Sequence, residues 1–282
     1  MKVLITNFSL ASRGGTELYV RDLAAALLRR GHKPVVYSPE LGAVAREIRE
    51  ATVPVVDDLA AVSFTPDVIH GHHLHETMTA LLRFPGVPAV YVCHDWYSRL
   101  DAPPKFPRVL RYVAVDEVCY DKLVCEQGVA EERVRLLPSF VDLERFAPRA
   151  APLPPRPRRA LLLCNYAEEG PHLAAAREAF ARANVRLDAF GKLLGETCER
   201  PEKILGEYDI VLAKGRAALE AVATGAAVIL HVQRSVGPMV TAGELDRLLP
   251  LNCGIRAMTA RPDPAAFAAA LAREIERYDP GD

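Results

Sequence analysis

The chain has 282 residues, half of them hydrophobic, and a formal net charge of −1. That length is generous for one core and comfortable for two domains, while the balanced charge offers no global field to nucleic acid or an anionic membrane, so any anion must be recognised locally. No apolar run approaches the roughly 20 residues of a membrane helix, the six cysteines form no CxxC pair and read as reduced thiols, and the opening MKVLIT is too brief for a signal peptide, so the expected location is cytoplasmic, without stable membrane insertion.

In chain order, Val3-Leu4-Ile5 reads as a buried strand. The following loop, Asn7 to Glu17, carries Gly14 and Gly15 at the head of a helix, where missing side chains would let a ligand touch the backbone. Leu18, Val20, Leu23, Ala24, Leu27 and Leu28 fall on one helical face that ends at Gly31. Pro34 to Tyr37, Asp67 to Ile69, Ala89 to Val92 and Tyr112 to Val115 are further short apolar strands, separated by helical stretches. This alternation predicts βαβ units and a parallel sheet covered on both faces.

Two of these strands end in histidine. His70, His72, His73 and His75 crowd the first. The His-x-His pair is expected to send its rings to opposite faces, and no second ligand group has recognisable spacing. The cluster is therefore read as loop histidines rather than a metal site. The second strand ends at His94-Asp95, where the imidazole would meet a substrate hydroxyl and the carboxylate would orient it or bind a sugar.

Leu136 to Pro148 reads as a strand, a turn and a short helical segment. The sequence PRAAPLPPRPR that follows cannot sustain a helix or a sheet interior and predicts a stiff linker. The domains expected are thus 1–148, a linker over 149–158, and 159–282. In the second, Leu161 to Leu163, Val185 to Phe190, Ile210 to Leu212 and Val228 to Leu230 are strands, with a helix near Leu173 to Ala183. The segment 263–278 is an amphipathic helix of mixed charge, expected to pack on a domain.

Lys214-Gly215-Arg216 follows the strand Ile210 to Leu212 and opens a helix that ends at Gly225. A helix head presents free amides and a positive dipole end to a phosphate. Lys214 and Arg216 would add cationic charge to a diphosphate. Glu220, one turn further in, would accept two hydrogen bonds from a ribose diol. In open α/β sheets ligands lie beyond the carboxyl ends of strands, which is where all these segments fall.

The ordered set of phrases resembles the GT-B glycosyltransferases of the large retaining family four. GGTELYVRDLAAALLRRGHKPVVYSP, DVIHGH (67–72), the strand ending in His94-Asp95, LLPSFVDLERFAP (136–148) and ALEAVATGAAVIL (218–230) stand in that family's order. Three positions depart from its pattern. Leu212 stands where the first of two glutamates eight apart is usual, with Glu220 the second. Cys164 to Gly170 replaces a Gly-Arg and Lys pair, and Ser139 replaces an asparagine.

The resemblance implies two Rossmann-like domains with parallel sheets facing a central cleft. The N-terminal one would be on the acceptor side, and the C-terminal one would bind a nucleotide-diphosphate sugar. It also implies transfer of that sugar to a sugar, lipid-linked or small-molecule hydroxyl acceptor, with no nucleic acid partner and neither cofactor nor metal. Donor-binding residues would be Gly14, Gly15, Lys214, Gly215, Arg216 and Glu220, with His94 and Asp95 catalytic. The alternatives are a catalytically silent nucleotide-sugar-binding homologue and a sugar-nucleotide epimerase on the same fold.

Overall fold

The computed structural model describes residues 1–259 and 263–282. The chain forms two compact units, Met1–Pro138 and Ser139–Asp282.

The first unit holds strands β1 (Lys2–Thr6), β2 (Ser9–Leu10), β3 (Lys33–Tyr37), β4 (Glu40–Leu41), β5 (Val55–Val56), β6 (Val68–His72), β7 (Ala89–Cys93), β8 (Val109–Ala114) and β9 (Val134–Leu136). Its helices are α1 (Gly15–Arg29), α2 (Ala43–Glu50), α3 (Leu74–Arg83) and α4 (Glu117–Asp121). Seven strands make one sheet in the order β5-β3-β1-β6-β7-β8-β9, and every pair in it is parallel. Alternate residues feed two cores. Leu4, Ile69 and Tyr91 face one, while Val3, Ile5 and Val36 pack with Val20 and Ala24 of α1 on the other. The chain reverses direction across the sheet between β1 and β6, the crevice where such sheets take ligands.

The second unit holds β10 (Arg159–Leu163), β11 (Arg186–Phe190), β12 (Ile210–Ala213), β13 (Ala227–Val232) and β14 (Ser235–Val240). Its helices are α5 (Pro171–Arg182), α6 (Pro201–Ile204), α7 (Gly215–Ala223), α8 (Leu245–Leu248) and α9 (Pro264–Glu276). The order is β11-β10-β12-β13-β14. The first four are parallel and β14 returns antiparallel to β13. Here the switch falls between β10 and β12. Phe180 of α5 and Phe267, Leu271 and Ile275 of α9 fill one core, so the amphipathic tail does pack on its own unit. Leu219 and Ala221 of α7 fill the other, on the opposite face.

The unit boundary lies ten residues before the predicted one, at Pro138 rather than Pro148. Phe146 is fully buried in the core beneath α7. Arg145 pairs with Glu202 at 2.8 Å, and the Arg149 guanidinium donates to the Tyr208 carbonyl at 3.0 Å. The backbone amides of Arg158 and Arg159 both donate to Asp209. The proline-rich stretch is therefore pinned along the second unit rather than spanning between units. After β9 the segment to Pro148 is turns, without the expected helix. Strand β14 escapes sequence reading because Gly237-Pro238 interrupts it. Pro238 is tolerated at this edge position, and the Met239 amide donates instead to Glu274 of α9 at 2.7 Å.

Candidate functional site

In the first unit the carboxyl ends of β1, β6 and β7 and the head of α1 gather the candidate residues. The Thr6 hydroxyl donates to the His72 carbonyl and accepts the His72 amide, each at 3.1 Å, which locks β1 to β6 at the switch point. His73 follows with φ of 64°, a left-handed conformation that costs a non-glycine residue energy and marks functional sites. The bend brings its Nδ1 to accept the Phe8 amide at 3.0 Å, so Nε2 carries its proton. Burial lowers the His73 pKa to about 4.

The predicted opposite facing of His70 and His72 is overturned. Residues two apart on a strand share a face. His70 Nδ1 lies 3.0 Å from His72 Nε2, and His72 Nδ1 lies 2.7 Å from His94 Nε2. Both ring-centre separations are 4.9 Å, with planes inclined by 29° and 20°. Contacts this short at that separation place the bonding nitrogens on the line of centres. The rings are thus joined edge to edge by N–H···N bonds rather than stacked face on face. His72 is fully buried, and His70 and His94 are half-buried. Tyr19 of α1 sets its ring edge against His72 and His94 at 5.5 and 4.9 Å. Burial pushes His70 down to about 4 and His94 to about 3, and His72 well below its ordinary value. The three rings are neutral near pH 7.

Asp95 does not orient His94. Its carboxylate accepts the Tyr97 amide at 2.7 Å, and its carbonyl accepts from Lys122 at 2.8 Å. The group fixing His94 from below is Asp101, which the sequence did not single out. Its buried carboxylate accepts the His94 amide at 2.8 Å, and burial raises its pKa to about 6. Gly14 is the cap residue of α1, where no side-chain cap bonds the first amides. A side chain built on Gly15 would meet nothing within 4 Å.

In the second unit, Gly215 adopts φ of 53°, yet its amide is bonded to the Cys253 carbonyl at 3.0 Å. Part of the predicted phosphate seat at the head of α7 is thereby filled by protein. Arg216 and Glu220, assigned separately to diphosphate and ribose, are buried and joined to each other at 2.7 Å. They are one turn apart on α7, and burial favours the pair over separate unpaired charges. Lys214 lies with its ammonium 5.8 Å from the Tyr166 ring centre.

That contact leads across the switch point to a cavity of ≈ 180 Å³, lined by Tyr166, Glu168, Glu169, His172, His231 and Arg234 among others. It sits at the carboxyl end of β10 and the head of α5, whose capping residue is Gly170 and whose first residue is Pro171, the position where a missing amide hydrogen costs a helix nothing. His231 is 2% exposed, and its Nδ1 meets no hydrogen-bond partner among the described residues. Burial holds its pKa near 4. Glu168 pairs with Arg234 at 3.2 Å, and Glu169 with Arg177 through two bonds of 2.9 Å. Sequence reading ended this strand at Leu230 and so missed His231 and Arg234. The signal was a histidine and an arginine directly after an apolar strand, the placement used to single out His94. Among the described residues no group of three or more His, Cys, Asp or Glu is placed to hold a metal ion.

Two Rossmann-like units in one chain, each with its candidate residues at a sheet's carboxyl end, define the GT-B class of glycosyltransferase. Residues 13–145, a little under half of the chain, match the family described as Glycosyltransferase Family 4, and the fold of the chain is the GT-B fold. No curated protein matches the chain. Similar solved structures include the Anabaena protein Alr3699/HepE in complex with UDP and glucose (15% identity, TM-score 0.60, covering 100% of this chain and 96% of that one). A glycosyltransferase from Rickettsia africae ESF-5 shares 13% identity at a TM-score of 0.59, covering 98% and 93%. OtsA shares 14% at 0.57, covering 99% and 92%. At these identities the likeness establishes the fold.

Proposed function

We propose that the chain moves a sugar from a nucleotide-diphosphate sugar to a hydroxyl acceptor, the second unit taking the donor and the first the acceptor. The observation that carries this reading is the cavity at the β10/β12 switch point, lined by the head of α5 and by His231, whose buried Nδ1 has no hydrogen-bond partner among the described residues. Neutral His231 can donate one hydrogen bond there. The α5 amides supply the positive end of a dipole, Arg234 lines the cavity paired with Glu168, and Lys214 stands against the Tyr166 ring of that lining. As the sugar–phosphate bond breaks, negative charge grows on the diphosphate, and these donors would stabilise it without reorganising. The reading needs no metal, since these groups meet that charge.

Several residues of the sequence-based assignment change role in this proposal. Arg216 and Glu220 act as an ion pair within α7, one turn apart, beside Lys214. Gly215 gives the turn its left-handed geometry and lets the 252–253 segment pack on the helix head. Gly14 and Gly15, assigned to the donor by the resemblance, move to the acceptor side: Gly15 leaves open backbone at the α1 head, while the Glu17 carboxylate crowds Gly14. His94 would stand against the acceptor hydroxyl, with Asp101 rather than Asp95 holding it in place.

One observation favours a second reading, a nucleotide-sugar-binding homologue without turnover. Glu168 and Glu169 line the cavity, and Glu169 and Asn165 occupy the stretch that carries cations in the resembled family. Thermal-shift titration with UDP, GDP and ADP tests binding, because a ligand selective for the native state raises the melting point. Release of nucleotide from the matching sugar nucleotide, with and without candidate acceptors, then separates transfer from silent binding. No shift with any nucleotide refutes both readings.

A further inference from the structure

The loop after β7 holds two large aromatic side chains out in water. Trp96 is 44% exposed and Tyr97 82%. A single exposed apolar residue is ordinary, but two adjacent aromatic rings just past a strand end that carries candidate residues form a patch. The rings meet edge to face, with centres 5.8 Å apart and planes inclined by 64°, so they make an exposed corner. The backbone beneath them is braced. The buried Lys122 ammonium donates to the carbonyls of Asp95 and Ser98, each at 2.8 Å, one on either side of the pair. Lys122 opens a π-helical turn, Lys122–Glu126, an irregularity that recurs at functional sites. The Asp95 carboxylate accepts the Tyr97 amide at 2.7 Å, the Ser98 hydroxyl accepts the Leu100 amide at 3.2 Å, and Asp101 accepts the His94 amide at 2.8 Å. Burying an ammonium is costly. Spent on a surface loop, it holds both rings in place before any ligand arrives, which is the preorganisation a binding platform needs.

We propose that Trp96 and Tyr97 form a stacking platform for a sugar ring, and that the acceptor is therefore a molecule bearing a sugar. A pyranose presents a face of weakly positive C–H bonds and a rim of hydroxyls. The C–H face suits the electron-rich face of an aromatic ring. The hydroxyl rim needs polar partners beside that ring. Asp95 and Arg99 flank the aromatic pair in the chain and are both exposed. A carboxylate accepts from a hydroxyl and a guanidinium donates to one, so the stretch supplies both halves of sugar recognition. An acyl chain is the poorer match, because lying along the pair it would strip water from those two charges without replacing it. That the bound sugar is the acceptor rests on the function proposed above; the platform itself does not. The platform narrows the acceptor from any hydroxyl compound to one with a sugar ring, seated two residues beyond His94 in the chain.

Trp96 is the chain's single tryptophan, so its emission reports its own ring face. Titrating the full chain, without donor, with maltose, cellobiose, lactose and methyl mannoside should shift that emission to the blue with at least one of them, as the sugar replaces water on the indole. In calorimetry with that sugar, Trp96→Ala and Tyr97→Ala should each weaken binding about tenfold, and Trp96→Phe, which keeps a ring, should recover most of the loss. All three variants should keep the wild-type melting temperature, since both side chains are exposed. No shift with any of the four sugars overturns the platform, as does full affinity in both alanine variants. A shift with lysophosphatidylcholine micelles and with none of the sugars overturns it in favour of a lipid surface. Sugar bound in this way by a chain that transfers nothing upholds the platform and refutes the proposed function. Transfer whose KM for the acceptor is unchanged in Trp96→Ala upholds the function and refutes the platform.

Discussion

Acidification from pH 7 to pH 5 should destabilise the first unit, and the magnitude follows from its histidines. An unfolded imidazole titrates near 6.5, whereas burial holds His70 and His73 near 4 and His94 near 3 in the folded chain. A group whose folded pKa is lowered binds fewer protons folded than unfolded, so stability falls as pH drops below 6.5 and the loss levels off only below the folded values. At pH 5 the unfolded ring is almost fully protonated and the folded ring is not, a difference of about 2 kcal/mol per histidine relative to pH 7. Three rings give about 6 kcal/mol, and His72 adds in the same direction. Asp101 opposes them. Its folded pKa is raised from 3.8 to about 6, so it binds protons preferentially when folded and returns about 1 kcal/mol. The net loss is about 5 kcal/mol, a large part of a typical domain's stability. Trp96, the chain's single tryptophan, belongs to this unit and reports its unfolding. Urea titrations followed by its fluorescence should show the midpoint falling sharply between pH 7 and pH 5 with an unchanged slope. A midpoint that holds within this window would show that the rings are not buried as neutral groups.

Further perturbations test other parts. Phe146→Ala should destabilise the second unit by about 3–5 kcal/mol, read by a circular dichroism melt; a neutral effect would return residues 139–148 to the first unit. Glu220→Gln, which leaves Arg216 buried beside an uncharged partner, should cost about 3 kcal/mol; if stability holds while nucleotide affinity falls, Glu220 is a ligand contact. Gly15→Ala should leave the melting temperature within a degree or two, since the added methyl meets open space. Acceptor affinity that also stays unchanged by calorimetry would remove the α1 head from the site. His231→Phe and Lys214→Ala should each weaken nucleotide binding at least tenfold in the same titration, and full affinity in both would displace the donor from the β10 end.

The sheet strands were legible because parallel strands buried on both faces are short, continuous apolar runs. The candidate loops were legible because they follow those runs. Partnership was not legible. Nothing in the spacing of Arg216 and Glu220 says whether a buried ion pair or a ligand satisfies them, and the Cys253 carbonyl that caps Gly215 lies 38 residues downstream. The row of histidines needed β6 and β7 to lie side by side in register, with His72 opposite Val92, a long-range fact. The boundary was misplaced because proline content sets stiffness, whereas the position of Phe146 decides which core the segment joins.

The outermost strand of the second unit has a consequence for the company the protein keeps. Pro238 has no amide hydrogen, and the neighbouring Met239 amide is already spoken for by Glu274. An incoming β-segment from another molecule would find this border largely stripped of donors. The same proline that hid the strand from sequence reading thus guards the sheet against edge-on self-recruitment.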